Sequence, residues 1–211
     1  MKKLSFAFVF MAIQLLSFES FAQISEIEVK NSITQSSEKE LVVECSRMLQ
    51  ENFFHYADLI TDKLLEINPE SSNYKYRKGF IELTMRQDYL KAISLFSTST
   101  GIIERNYDMY STKEGSVPAD IFYHLGRAHH LNEDFEKATK NYNEFLIQTH
   151  KGSELIASAK TRIAQCKVAK ALMGSPKDVI VENLGDSINT QYADFSSNIS
   201  LDGRALYFTS R

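Results

Sequence analysis

The chain has 211 residues, of which 43% are hydrophobic and 24% charged, with a formal charge of −3. That is enough apolar material for one or two cored domains. Acids and bases are interspersed and no basic stripe could neutralise a run of phosphates, which argues against nucleic acid as a partner. Eight Gly, three Pro and no Trp favour helices over a turn-rich all-β fold for most of the length.

Residues 1–22 read as a signal peptide. Lys2 and Lys3 form a positive start, and Leu4 to Phe18 is apolar apart from Ser5, Gln14 and Ser17. Ser20 and Ala22 place small residues at the cleavage positions before Gln23. The apolar run is shorter than the roughly 20 residues a spanning helix needs. No Cys lies near the cleavage point, so a lipoprotein anchor is not supported. The expectation is an exported chain. Residues 23–37, polar and Ser-rich, read as a flexible leader that firms into a helix near Ser37-Glu38.

From Glu38 a helical pattern recurs. In the first copy Leu41, Met48, Phe54, Ala57 and Leu64 are spaced for two amphipathic helices, and Asn68-Pro69 ends the second. In the second copy Tyr76, Gly79, Phe80, Leu83, Tyr89, Ala92 and Phe96 take corresponding places around a turn at Asp88. The third copy is the clearest, with Phe122, Leu125, Gly126, His129, Ala138, Tyr142 and Phe145 around a turn at Asn132-Glu133-Asp134. An aromatic residue three before an alanine, as in Phe54/Ala57, Tyr89/Ala92 and Phe135/Ala138, marks each second helix. Between the second and third copies, the second helix is expected to run to about Arg105, followed by an irregular loop to Gly115. Pro118 suits the first turn of the next helix. Ser153 is placed as an N-cap, and the apolar residues Leu155, Ile156, Ala159, Ile163, Cys166, Ala169 and Leu172 predict a last helix to Met173 that covers the third copy.

Beyond Pro176 the pattern changes. Val179-Ile180-Val181 is β-branched, and Asp202-Gly203 before Leu206-Tyr207-Phe208-Thr209 predicts a β-hairpin. A lone hairpin is marginal in water, so this tail calls for more sheet than residues 176–211 supply.

The repeats over Glu38 to Met173 resemble the tetratricopeptide (TPR) family. Glu44 and Lys78 stand where that family has large apolar residues, and His150 where it has a terminating proline. The run from Tyr192-Ala193-Asp194-Phe195-Ser196-Ser197-Asn198-Ile199-Ser200-Leu201-Asp202-Gly203 to Leu206-Tyr207-Phe208-Thr209-Ser210-Arg211 resembles a blade of a TolB-like, WD-related β-propeller, with Asn198 following Ser197 where proline is usual. The fold these resemblances imply is mainly α: a TPR-type α-solenoid of about three hairpins plus a covering helix over 38–175, then the first strands of an incomplete propeller over 176–211. Signal peptide, TPR repeats and blade together resemble Bacteroidota envelope proteins of the outer-membrane-protein-A family, some tied to gliding or type IX secretion. The resemblance implies a non-enzymatic protein–protein scaffold at the periplasmic face of the outer membrane. Peptidoglycan would be bound only through a further domain that this sequence does not contain. The alternative is the substrate-positioning region of a propeller-containing hydrolase.

No nucleophile elbow, phosphate loop or His-Glu-x-x-His motif is present. His124, His129 and His130 lack the i, i+4 spacing of ligands on one helix and read as packing residues. No cofactor or metal site is expected. Cys45 and Cys166 fall on distant helices and read as unpaired thiols. A protein or peptide partner is expected in a groove on the first helices of the hairpins, with Tyr76, Arg77, Tyr123 and Arg127 as its contact residues, since Arg and Tyr often anchor interfaces.

Overall fold

A computed structural model of the protein describes residues 26–175, 178, 180, 182–185, 188–189, 191 and 194–210. The signal peptide expected over 1–22 lies outside the described residues. The chain divides after Met173 into a helical unit and a tail, against an expected boundary after Ser175.

The described part of the helical unit holds eight α-helices: α1 (Glu26–Gln35), α2 (Glu38–Gln50), α3 (Phe54–Ile67), α4 (Ser72–Ile81), α5 (Tyr89–Ser97), α6 (Asp120–Leu131), α7 (Phe135–Gln148) and α8 (Leu155–Met173). Successive helices from α2 to α8 pack on one another in chain order. The expected flexible leader is corrected over its described residues, which form α1, with Ile33 buried against the first core cluster. The helix expected near Ser37 begins there through a capping box. Ser37 Oγ accepts from the Glu40 amide, and the Glu40 carboxylate accepts from the Ser37 amide at 2.9 Å.

Helices α2/α3, α4/α5 and α6/α7 form three helical hairpins built on one backbone plan. Each turn carries one residue in the left-handed region: Asn52 (φ 63°), Gln87 (φ 57°) and Glu133 (φ 61°). Each lies five residues before the buried alanine of the second helix: Ala57, Ala92 or Ala138. Asp88 and Asp134 then cap α5 and α7 by accepting from the amides of Lys91 and Lys137. Phe53 takes that place in the first hairpin without a side-chain cap.

Close approach of the paired helices is set by a small residue against a large one. A Cβ on Gly79 would lie 2.7 Å from Phe96 Cε1, and one on Gly126 would lie 2.7 Å from Tyr142 Cδ1. The first hairpin fills the same space differently, with Cys45 Sγ 3.2 Å from Thr61 Oγ1. Cys45 to Ala57 and Gly126 to Ala138 are twelve residues apart, whereas Gly79 to Ala92 is thirteen. The extra residue is taken up by a single π-helical turn, Glu82–Arg86, which continues α4. That turn lets Phe96 meet Gly79 although the chain between them is one residue longer.

Helix α5 stops at Ser97 rather than continuing to about Arg105. Thr98 and Ser99 turn their hydroxyls back onto the carbonyls of Ser94 and Leu95, competing with the next turn of helix, and Gly101 follows. The intervening 98–119 segment closes on itself through a parallel bridge of Ile103 with Val117. Pro118 lies two residues before α6, its carbonyl accepting from the Ile121 amide. Ser153 Oγ accepts from the Leu155 amide at the start of α8. Helix α8 lays Ala159 and Cys166 into the core of the third hairpin, with Leu155, Ile156 and Ile163 beside them. Three core clusters result, each shared by neighbouring helices. Burial is therefore sequential along the chain rather than gathered at one centre.

In the tail, β1 (Asp194–Ile199) pairs antiparallel with β2 (Leu206–Ser210). The register slips by one residue between Phe195 and Asn198, and Ser196 takes a positive φ of 59° at this bulge. Gly203, at φ 71°, and Asp202 make the turn, where Ser200 Oγ donates to Asp202 Oδ1 at 2.6 Å. Ile180 lies in no strand, and Val179, Val181, Tyr192, Ala193 and Arg211 lie outside the described residues.

Candidate protein-docking face

Tyr76 and Arg77 lie on α4, and Tyr123 and Arg127 lie on α6, the first helices of their hairpins. The structure separates these residues by role. Arg77 is 1% exposed, so its expected place in an open groove is corrected. Asn73 and Arg77, one helical turn apart, face α2: Arg77 Nε donates to Asn73 Oδ1 at 3.1 Å, and one terminal nitrogen donates to the Val42 carbonyl at 3.3 Å and to Ser46 Oγ at 2.9 Å. The other terminal nitrogen donates to the Met109 carbonyl of the 98–119 segment. Tyr123 is also buried, at 5% exposed. Its hydroxyl shares a 2.8 Å hydrogen bond with Ser158 and accepts from Arg162 Nε at 3.1 Å, which ties α6 to α8.

Tyr76 and Arg127 are half-buried. The Tyr76 ring stands edge-on to Tyr107, 6.3 Å away. Arg127 Nε is buried without an acceptor. Burial pushes the Tyr142 hydroxyl up in pKa, and the charges of Arg162 and Arg127 oppose that shift, so both guanidiniums lie close enough to act on one hydroxyl. The arrangement is a pair of half-buried cations, Arg127 on α6 and Arg162 on α8. Its chemistry suits anionic and aromatic side chains of a protein partner.

The three histidines do not converge. His124 is packed against the rings of Phe80, Tyr123, Phe96 and Tyr76, with centroids 4.9 to 6.2 Å away. Burial, helped by the Arg127 charge, pushes it down to about 3 in pKa, so it is a neutral core ring. His130 lies beside Phe135 and Tyr142. Among the described residues, no group of three His, Cys, Asp or Glu side chains is placed to hold a metal ion. Cys45 and Cys166 are buried free thiols in separate core clusters.

Sequence reasoning passed over two features. Lys78 and Glu44, unusual at apolar repeat positions, are both buried and both paired. Lys78 Nζ lies 2.6 Å from Asp58 and 2.5 Å from Asp62, and Arg86 reaches the second oxygen of Asp58. Glu82, at the π-helical turn, meets Lys91 at 2.6 Å. This network of three acids and three bases replaces apolar packing between α3, α4 and α5. Glu44 pairs with Arg47. The second missed feature is the set of Ser46, Gln50, Asn73, Tyr107 and Met109, joined by no sequence motif because two helices and a distant loop supply it. Compared with known proteins, the chain matches no family model and no curated protein.

Proposed function

We propose that the chain is a non-enzymatic protein–protein interaction scaffold, a TPR-type array of helical hairpins serving the cell envelope after export. The observation that carries this reading is the threefold backbone plan: left-handed turn residue, buried alanine five residues on, and small-against-large contact between paired helices. A stack of like hairpins buries its core between neighbours and leaves one helix of each pair to form a continuous outer face. Arg127 of α6 and Arg162 of α8, both half-buried, offer charge that no carboxylate among the described residues pairs with. The exposed apolar side chains of the tail hairpin, Ile199, Leu201 and Tyr207, fit a sheet that continues with further strands, as in a propeller.

The test is affinity capture. The chain from Gln23 onward, immobilised, should enrich a discrete protein from an envelope extract, and Arg127→Glu should reduce that capture at least tenfold, by more than any loss of folded fraction measured by circular dichroism accounts for. Equal capture by the charge-reversed variant would refute the assignment of this face.

A further inference from the structure

We infer that the face of α2 and α4 centred on Arg77 is a peptide-docking surface, and that the 98–119 segment is its resident, displaceable occupant. The inference rests on the reading of the helical unit as an interaction scaffold. The segment lies on this face as a bound peptide would. The Met109 carbonyl accepts from Ser46 and Arg77; the Tyr107 hydroxyl donates to Asn73 Oδ1 at 2.7 Å; the Tyr110 hydroxyl donates to Gln50 Oε1 at 2.5 Å; and Asn73 Nδ2 donates to the Glu114 carbonyl at 3.2 Å. Receptor side chains from two helices thus read two carbonyls and two tyrosines.

Its hold is mainly polar, with Tyr107, half-buried against the Tyr76 ring, as the chief apolar contact. No residue from Gly101 to Gly115 is fully buried, so the segment should open locally at lower free energy than the helices beneath it. The neck remains closed through the Ile103–Val117 bridge, where the Glu104 amide donates to the Val117 carbonyl at 3.0 Å. The segment can leave its site without unravelling α5 or α6.

Arg77 defines what could replace it. Its acceptors are two backbone carbonyls, a side-chain amide and a hydroxyl, none of them charged. A carboxylate standing where the Met109 carbonyl lies would make a charge-assisted bond about twice as strong as the neutral one. The accepted partner is therefore an extended acidic segment of another protein.

Ser46 is fully buried under the segment, so Ser46→Cys provides a thiol that reagent reaches only when the segment lifts. Cys45 and Cys166, both buried, report unfolding in the same molecule. The thiol at position 46 should label faster than either. Tyr107→Phe removes one hydroxyl hydrogen bond and should raise that rate about fivefold. A fluorescein-labelled hexaglutamate peptide, followed by anisotropy, should bind the Tyr107→Phe chain more tightly by the same factor, because apparent affinity scales with the open fraction. A hexaglutamine peptide should not, and Arg77→Lys should abolish the gain. Labelling at position 46 no faster than at Cys45 and Cys166 overturns the inference, as does faster labelling with unchanged hexaglutamate affinity. Failure of envelope capture counts against the scaffold reading alone, since the ratio of labelling to affinity is measured on the purified chain.

Discussion

Replacing Gly126 with alanine sets two effects of opposite sign against each other. In an open helix interior alanine is favoured over glycine by about 0.5–1 kcal/mol, through lower backbone entropy in the unfolded chain. Here the new methyl would lie 2.7, 2.8 and 3.1 Å from Cδ1, Cε1 and Cγ of Tyr142. The contact falls on the rigid body of the ring, and Tyr142 is fully buried, so the ring has no free space to retreat into. Overpacking of this kind costs about 1–3 kcal/mol. The packing effect wins, and the net loss should be about 1–2 kcal/mol, a melting-temperature drop of roughly 3–6 °C for a chain of this size. Urea unfolding of the wild type, Gly126→Ala, Tyr142→Leu and the double variant would measure it as a cycle. With leucine at 142 the methyl has room, and Gly126→Ala should become neutral or stabilising. A stabilising Gly126→Ala in the wild-type background, or an equal cost in both, would refute small-against-large packing as the determinant of this hairpin. Gly79→Ala against Phe96 should behave alike.

Other outcomes follow from the same structure. His124 is neutral in the fold, with a pKa of about 3 against 6.5 unfolded, so the unfolded chain takes up a proton first as pH falls. Stability is intact above pH 6.5 and should fall between pH 6.5 and 3 by up to about 1.4 kcal/mol per pH unit; the slope should be shallower in His124→Leu, and identical slopes in pH-dependent urea titrations would contradict the burial. Lys78→Met leaves Asp58 buried with only Arg86 and should cost about 3 kcal/mol, most of it recovered by adding Asp58→Leu; calorimetry of the pair decides it. Glu133→Gly relieves a left-handed residue at the α6/α7 turn and should stabilise by about 0.5–1 kcal/mol, which an unchanged melting temperature would exclude. Burial pushes the Cys166 thiol up, so neither it nor Cys45 should react with a thiol reagent at pH 7 until denaturant is added; reaction of the native chain would contradict the core assignment.

What could be read from the sequence was local. The amphipathic spacing, the alanines at 57, 92 and 138, the turns at Asp88 and Asn132-Glu133-Asp134 and the Asp202-Gly203 turn each lie within a few residues of what they determine. Such signals survive without knowledge of the rest of the chain. The candidate contact residues were legible only in part: Tyr76 and Arg127 stay half-exposed, but helical periodicity could not tell that Arg77 and Tyr123 are spent on internal hydrogen bonds. An arginine at a first-helix position looks the same whether it meets solvent or another segment.

The sequence by itself determined where most of the paired helices begin, which small residues let them pair, and that the tail turns back as a β-hairpin; it did not determine where α5 ends or that α1 forms. Three things were decided only by tertiary structure. The π-helical turn at Glu82–Arg86 absorbs one residue because Phe96 must still reach Gly79. Lys78 is buried because Asp58 and Asp62 of another helix await it. The 98–119 segment folds over α2 and α4 because Ser46 and Arg77 meet the Met109 carbonyl and Asn73 meets the Tyr107 hydroxyl, each more than thirty residues away in sequence. Period and propensity record neighbours three or four residues apart; contacts between distant segments depend on complementary groups meeting in space, and no local pattern encodes them.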